Sequence, residues 1–140
     1  MSVDSPALAA PVRVPIEREA DIVSARQRGR ALAAASGFRT TDQTLIATAI
    51  SEVARNIVLY ARKGEIVLTT LELRGRHGIM VIARDEGPGI PDVALAMRDG
   101  YSTANSLGMG LPGAKRLMDE FDLISVPGDG TTVTMKKWVR

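Results

Sequence analysis

The chain of 140 residues contains no cysteine. That excludes a disulfide framework, a thiolate nucleophile and a cysteine-based metal site, and it suits a reducing cytoplasm. Aromatic residues make up only 4 % and no dense basic stripe interleaves with them, which argues against nucleic-acid binding. Charge of either sign is scarcely in excess: 18 Lys and Arg stand against 16 Asp and Glu, with the two signs interspersed. No apolar stretch approaches the length of a membrane span, and residues 1–11 have neither the basic start nor the apolar core of a signal peptide. The one histidine, His77, falls in the glycine-flanked connection 74–78 and lacks the helical setting of a phosphoaccepting histidine. The expectation is a soluble cytoplasmic protein without nucleic-acid or membrane partners.

What is present is a core. With 45 % hydrophobic residues, the chain is expected to form one compact domain over 12–140 behind a mobile Ala/Pro/Ser-rich tail at 1–11. Val12, Val14 and Ile16 alternate as in an edge strand. Residues 17–36 read as a helix burying Ile22, Ala25, Gly29, Leu32 and Ala33, with Arg26, Arg28 and Arg30 on a basic outer region. That region is a solvated face or a contact for an acidic partner. Residues 41–63 read as a long amphipathic helix capped by Thr41 or Asp42, in which Leu45, Ile46, Ala49, Ile50, Val53, Ala54, Ile57 and Ala61 form the apolar stripe. Strands follow at 65–73 and 78–83, then a short helix at 92–98, a polar lid at 99–109, a helix with Ala114, Leu117, Met118 and Phe121 on its inner side, and a hairpin of 123–126 and 131–139. Val133, Met135 and Lys137 share one face of the last strand. This order predicts a two-layer α/β sandwich.

Three stretches carry chemistry. Asp85-x-Gly87-x-Gly89 follows the apolar run 78–83, so a carboxylate stands where a strand leaves the core; it can accept from an exocyclic amine, while the glycines admit a flat base. A plain strand-ending turn would look the same. On the preceding helix Glu52 and Asn56 lie roughly 40° apart, on the border of the apolar stripe, with Arg55 turned to solvent. The pair either looks into a groove or bonds to itself across one turn. Gly108-x-Gly110-x-x-Gly113 opens a helix, offering backbone N–H groups and the positive end of a helix dipole to phosphate, although such starts also arise from packing. It is neither a P-loop nor a dinucleotide fingerprint.

Together with Gly130-Thr131-Thr132 before the final strand, these boxes resemble, in the same order, the four signature boxes of the GHKL ATPase/kinase superfamily. The runs 50–57, 85–91 and 108–119 are most similar to the RsbT-type switch serine/threonine kinases, a group close to the anti-sigma-factor kinases. The resemblance covers about Ile16 to Arg140. It implies the Bergerat fold, a mixed, mostly antiparallel sheet with helices on one face, binding ATP and Mg²⁺ under the lid. It further implies that Asp85 holds the adenine amine with Thr131 beside it, that Asn56 ligates Mg²⁺ and that Glu52 is the general base or positions the hydroxyl. Gly87, Gly89, Gly108, Gly110, Leu111 and Gly113 complete the ATP site. The implied partners are STAS-domain antagonist and scaffold proteins and a metal-dependent Ser/Thr phosphatase. An anti-sigma factor that also binds a sigma subunit, or a non-catalytic nucleotide-gated module, are the alternatives. One departure is visible: 101–109 contains no Lys or Arg, where related kinases place a basic residue near the γ-phosphate. Lys63, Arg84, Lys115 or a partner would have to supply that charge.

Overall fold

β-branched and apolar residues spaced by two build the sheet, and those spaced by three or four build the helices that cover it. The computed structural model describes residues 10–90, Val93, Met97 and 110–140. Its elements are β1 (Val12–Ile16), α1 (Glu19–Ala35), α2 (Thr40–Asn56), a π-helical turn (Ile57–Ala61), β2 (Gly64–Leu73), β3 (Arg76–Asp85), α3 (Gly110–Leu117), β4 (Glu120–Val126) and β5 (Gly130–Trp138). The strands form one sheet in the order β1-β2-β3-β5-β4. All four pairings among the described residues are antiparallel, in keeping with the mostly antiparallel sheet expected. The lid at 99–109 with Gly108, most of the helix expected at 92–98, and nearly all of the tail at 1–11 lie outside the described residues.

Register puts the core on one face. Leu68 pairs with Val81 and Val81 with Met135; Ile66 pairs with Ala83 and Ala83 with Val133. These rows pack against Ile46, Ile50, Val53 and Ile57 of the central helical run, Ile22, Ala25 and Ala33 of α1, and Leu111 and Ala114 of α3. Each large aliphatic side chain so buried contributes about 1.5–3 kcal/mol. Gly29 lets α1 close onto α2, since a Cβ there would overlap Ile50 Cδ1. Contrary to the expectation that no apolar stretch approaches a membrane span, the helical run Thr40–Ala61 reaches 22 residues and is long and apolar enough to cross one by length and composition. Ile46, Ala49, Ile50, Val53, Ala54 and Ile57 of this run are buried in the core, whereas Leu59 and Tyr60 are exposed.

Several local expectations are corrected. α1 begins at Glu19 rather than Glu17, because the Asp21 carboxylate turns back to accept from Glu17 N (2.9 Å) and Arg18 N (3.1 Å). Thr41 and Asp42 lie within the first turn of α2, whose cap position is Arg39. The helix expected to run to Lys63 is α-helical only to Asn56, then widens so that Arg62 N bonds Ile57 O at 2.8 Å, with Arg62 at φ 74°. The β2–β3 turn is only Arg74 and Gly75, both left-handed (φ 53° and 81°), so His77 stands on β3 opposite Glu72 rather than in the connection. Phe121 belongs to β4, paired with Met135. The helix ends at Leu117, whose carbonyl accepts from Lys137 Nζ at 2.8 Å, and Asp119 N bonds Lys136 O at 2.9 Å, which draws the chain into the sheet.

Candidate active site

Asp85 is the last residue of β3 and has Gly64 of β2 on one side and Thr131 of β5 on the other. Its Oδ1 accepts from Gly87 N at 2.9 Å and from Thr131 N at 3.3 Å. Both bonds go to one oxygen, which leaves Oδ2 able to accept from an outside donor. The glycines around it are required by close approach of the protein to itself. A Cβ on Gly87 would lie 2.6 Å from Ala61 Cβ, and one on Gly89 (φ 80°) 2.6 Å from Val126 O. Gly130 (φ 107°) sits against the Asp85 carbonyl, and Gly128 N bonds Pro88 O at 2.8 Å. The turn carrying the carboxylate is thus wedged between the π-helical turn and the β4–β5 hairpin. As expected, Thr131 neighbours Asp85.

Glu52 is 6 % exposed, a buried carboxylate on α2. Such a group requires partners, and it has two. Oε1 receives Arg55 Nη1 at 3.2 Å and Oε2 receives Gly110 N at 3.1 Å. The second bond spans 58 positions of sequence and ties the Glu-x-x-x-Asn helix to the first residue of α3. It also satisfies a helix N-terminal N–H that has no partner inside the helix and sets a negative charge at the positive end of the dipole. Leu111 and Gly113 are buried where α3 packs on α2, so their side of the glycine box belongs to the core. Asn56, half-buried, closes the α-helical part of the run one turn beyond Glu52.

Arg55 does not face solvent as expected. It is half-buried because Glu52 draws it inward, and it was missed as a site residue although its i,i+3 spacing from Glu52 could have shown it. Of the cations considered from sequence, Arg84 stands on the face of β3 opposite Asp85 and pairs with Glu65 at 3.7 Å, which removes it from the site. Lys63 and Lys115 are exposed. Ser125 was also missed: its Oγ lies 2.6 Å from Ile90 N and 2.9 Å from Thr131 Oγ1.

The donor set can be tested against the expected ligands. No group of three or more His, Cys, Asp or Glu able to hold a metal occurs among the described residues. A protein cage for a metal is therefore not formed there, whereas Mg²⁺ held by one side-chain oxygen, phosphates and water needs only a residue such as Asn56. A carboxylate oxygen, Asp85 Oδ2, without a hydrogen bond among the described residues at one end and a helix N-terminus at the other would fit a base and a polyphosphate.

Comparisons with known proteins identify the family. The family described as histidine kinase-like ATPase domain matches residues 16–137. The chain is 57 % identical over 127 residues to the serine/threonine-protein kinase RsbT of Bacillus subtilis, covering 91 % of this chain and 96 % of that one. It is 37 % identical over 100 residues to the anti-sigma F factor of Caldanaerobacter subterraneus subsp. tengcongensis, covering 67 % and 68 %. Among solved structures, the RsbU and RsbW domains of Rv1364c from Mycobacterium tuberculosis align with a TM-score of 0.60 at 23 % identity, over 92 % of this chain and 32 % of that longer one. This last likeness is one of fold.

Proposed function

The chain belongs to the histidine kinase-like ATPase family, and from that premise we propose that it is an RsbT-type serine/threonine switch kinase. The observation that carries the reading is the Glu52 Oε2 to Gly110 N bond, which joins the two boxes that would flank the reacting phosphate. Residues 12–140 act as one ATP-binding kinase domain in the cytoplasm. Its substrates are STAS-domain antagonist and scaffold proteins, and once released it activates a metal-dependent phosphatase.

Each residue then has a task. Asp85 Oδ2 accepts the adenine amine, with Thr131 beside it and Gly87 and Gly89 shaping the turn that holds the carboxylate. Mg²⁺ would be held by Asn56 and would supply charge neutralisation at the phosphates. Gly108, Gly110, Leu111 and Gly113 set the backbone of the phosphate end. Glu52 positions the acceptor hydroxyl and takes its proton. It does so only after exchanging the Gly110 N–H, so docking of nucleotide or partner at α3 frees the base. Phosphoryl transfer depends mainly on positioning and charge neutralisation, and Arg55 is the cation best placed to contribute.

The test is transfer of label from Mg-ATP to a STAS-domain protein encoded beside this chain, comparing the unsubstituted protein with Asn56→Ala and Glu52→Gln. Label on a partner Ser or Thr, lost in both variants, is the expected result; no label despite ATP binding would sink the kinase reading and leave a nucleotide-gated module. The 37 % identity to an anti-sigma F factor favours a second reading, in which a sigma factor is also bound. Pull-down with sigma factor against STAS protein separates the two.

A further inference from the structure

We infer that Arg55 is a positioning residue for the transfer step, an inference that rests on the kinase reading above. It holds Glu52 by Oε1, so that Oε2 stays aimed at the N-terminus of α3 and the carboxylate keeps a partner when the Gly110 N–H lets go. Glu52 and Arg55 stand one turn apart on α2, with Arg55 Nη1 3.2 Å from Oε1. The same carboxylate reaches out of its helix through Oε2, which accepts from Gly110 N at 3.1 Å. One oxygen is thus bound within the helix, and the other to an element 58 positions away.

The two bonds differ in kind. The Arg55 bond is ionic and lies within one helix, so movement of α3 does not stretch it. The Gly110 bond goes to a neutral N–H on a separate eight-residue helix, and it gives way when a phosphate takes that N–H. Glu52 is 6 % exposed, and loss of its last partner would leave an uncompensated charge away from water. With Arg55 in place, the exchange at α3 leaves a charged partner on Oε1. Oε2 can then take the proton of the acceptor hydroxyl as that oxygen bonds to the terminal phosphorus and ADP leaves. The contact of Arg55 is to one oxygen rather than a two-pronged fork. A lysine at position 55 can therefore make the same contact, and an apolar side chain of similar length cannot.

The experiment compares the full-length protein with its Arg55→Met and Arg55→Lys variants in the label-transfer assay above at saturating Mg-ATP, with ATP affinity from equilibrium titration and urea midpoints alongside. Arg55→Met keeps the aliphatic stem and drops the charge. Its transfer rate is expected to fall about tenfold while ATP affinity stays within about twofold, and Arg55→Lys should recover most of the rate. An unchanged rate in Arg55→Met, or a lysine no better than methionine, would overturn the inference. Weaker ATP binding with an unchanged rate at saturation would mark Arg55 as a nucleotide contact and overturn it as well. Hydrogen exchange at the Gly110 amide without nucleotide gives a reading apart from activity. It should quicken in Arg55→Met, and in a Glu52→Ala protein the added Arg55→Met should quicken it no further, since a residue acting through another has no effect once that one is gone. Unaltered Gly110 exchange in Arg55→Met, or a further gain in the double variant, would show that Arg55 does not orient Glu52. If Arg55→Met does not fold, Arg55→Gln takes its place in every comparison. No transfer by the unsubstituted protein would instead defeat the kinase reading, and the inference with it.

Discussion

Arg55 and Asp119 show what single charged groups do in this protein. Arg55 is the only side chain bonded to the buried Glu52 carboxylate among the described residues. Arg55→Ala leaves that carboxylate with the Gly110 N–H alone. Since the guanidinium is itself 30 % exposed, the cost is below that of breaking a fully buried pair, roughly 1–2 kcal/mol by urea denaturation. Asp119 acts through pH. Burial pushes its carboxyl up, but the Trp138 N–H at 2.8 Å, Lys137 and Arg140 outweigh that and hold it below the ordinary 3.8. A carboxyl lower in the folded than in the unfolded chain stabilises fully above the unfolded value, and the gain disappears as pH falls through the folded one. Asp119→Asn is therefore expected to lower stability at pH 7 and to flatten its decline below about pH 4, followed by chemical denaturation across that range.

Among the elements, the helices and strands were legible because hydrophobic spacing reports which face is buried, and the described residues of all four boxes lie on the elements where that reading put them. What escaped the sequence depended on burial or on partners distant in the chain. Arg55 reads as surface until the buried Glu52 beside it calls for a counter-charge. Ser125 reads as an ordinary strand serine until Ile90, 35 positions away, donates to it. Phe121 keeps the helical spacing of α3, but Lys137 and Lys136 bond the chain at Leu117 and Asp119 and turn it into a strand. The widened turn after Asn56 leaves no mark in periodicity either, and its role lies in contact with the Asp85 turn. Gly87→Ala would drive a methyl into Ala61, and the expected result is a loss of roughly 1–3 kcal/mol. Adding Ala61→Gly should recover only part of it, because Ala61 Cα is 2.8 Å from the same point. Full recovery in the double variant, or no loss in the single one, would show that the two turns are not packed as described.

Taken as a unit, the sheet and its helical layer put the proposed base-binding end between β3 and β5 and the proposed phosphate end between α2 and α3, so nucleotide should bind across elements that separate on unfolding. Mg-ATP at a hundredfold excess over its dissociation constant is expected to stabilise the fold by about 2.7 kcal/mol, and Asp85→Asn to remove most of that gain, read as a thermal shift. No shift at any concentration would defeat the nucleotide reading. The π-helical turn bears on how this architecture can change in length. By closing on Ile57 O from Arg62, it takes up one residue more than an α-helical turn would. That residue decides which of two pleats enters the sheet: with it, Ile66 and Leu68 face the core and Gly64 meets Asp85. Removing any one residue between Asn56 and Gly64 would turn Glu65 and Val67 inward or pull Gly64 off Asp85. This stretch is a counted spacer, closed to insertion or deletion whatever residues fill its exposed positions.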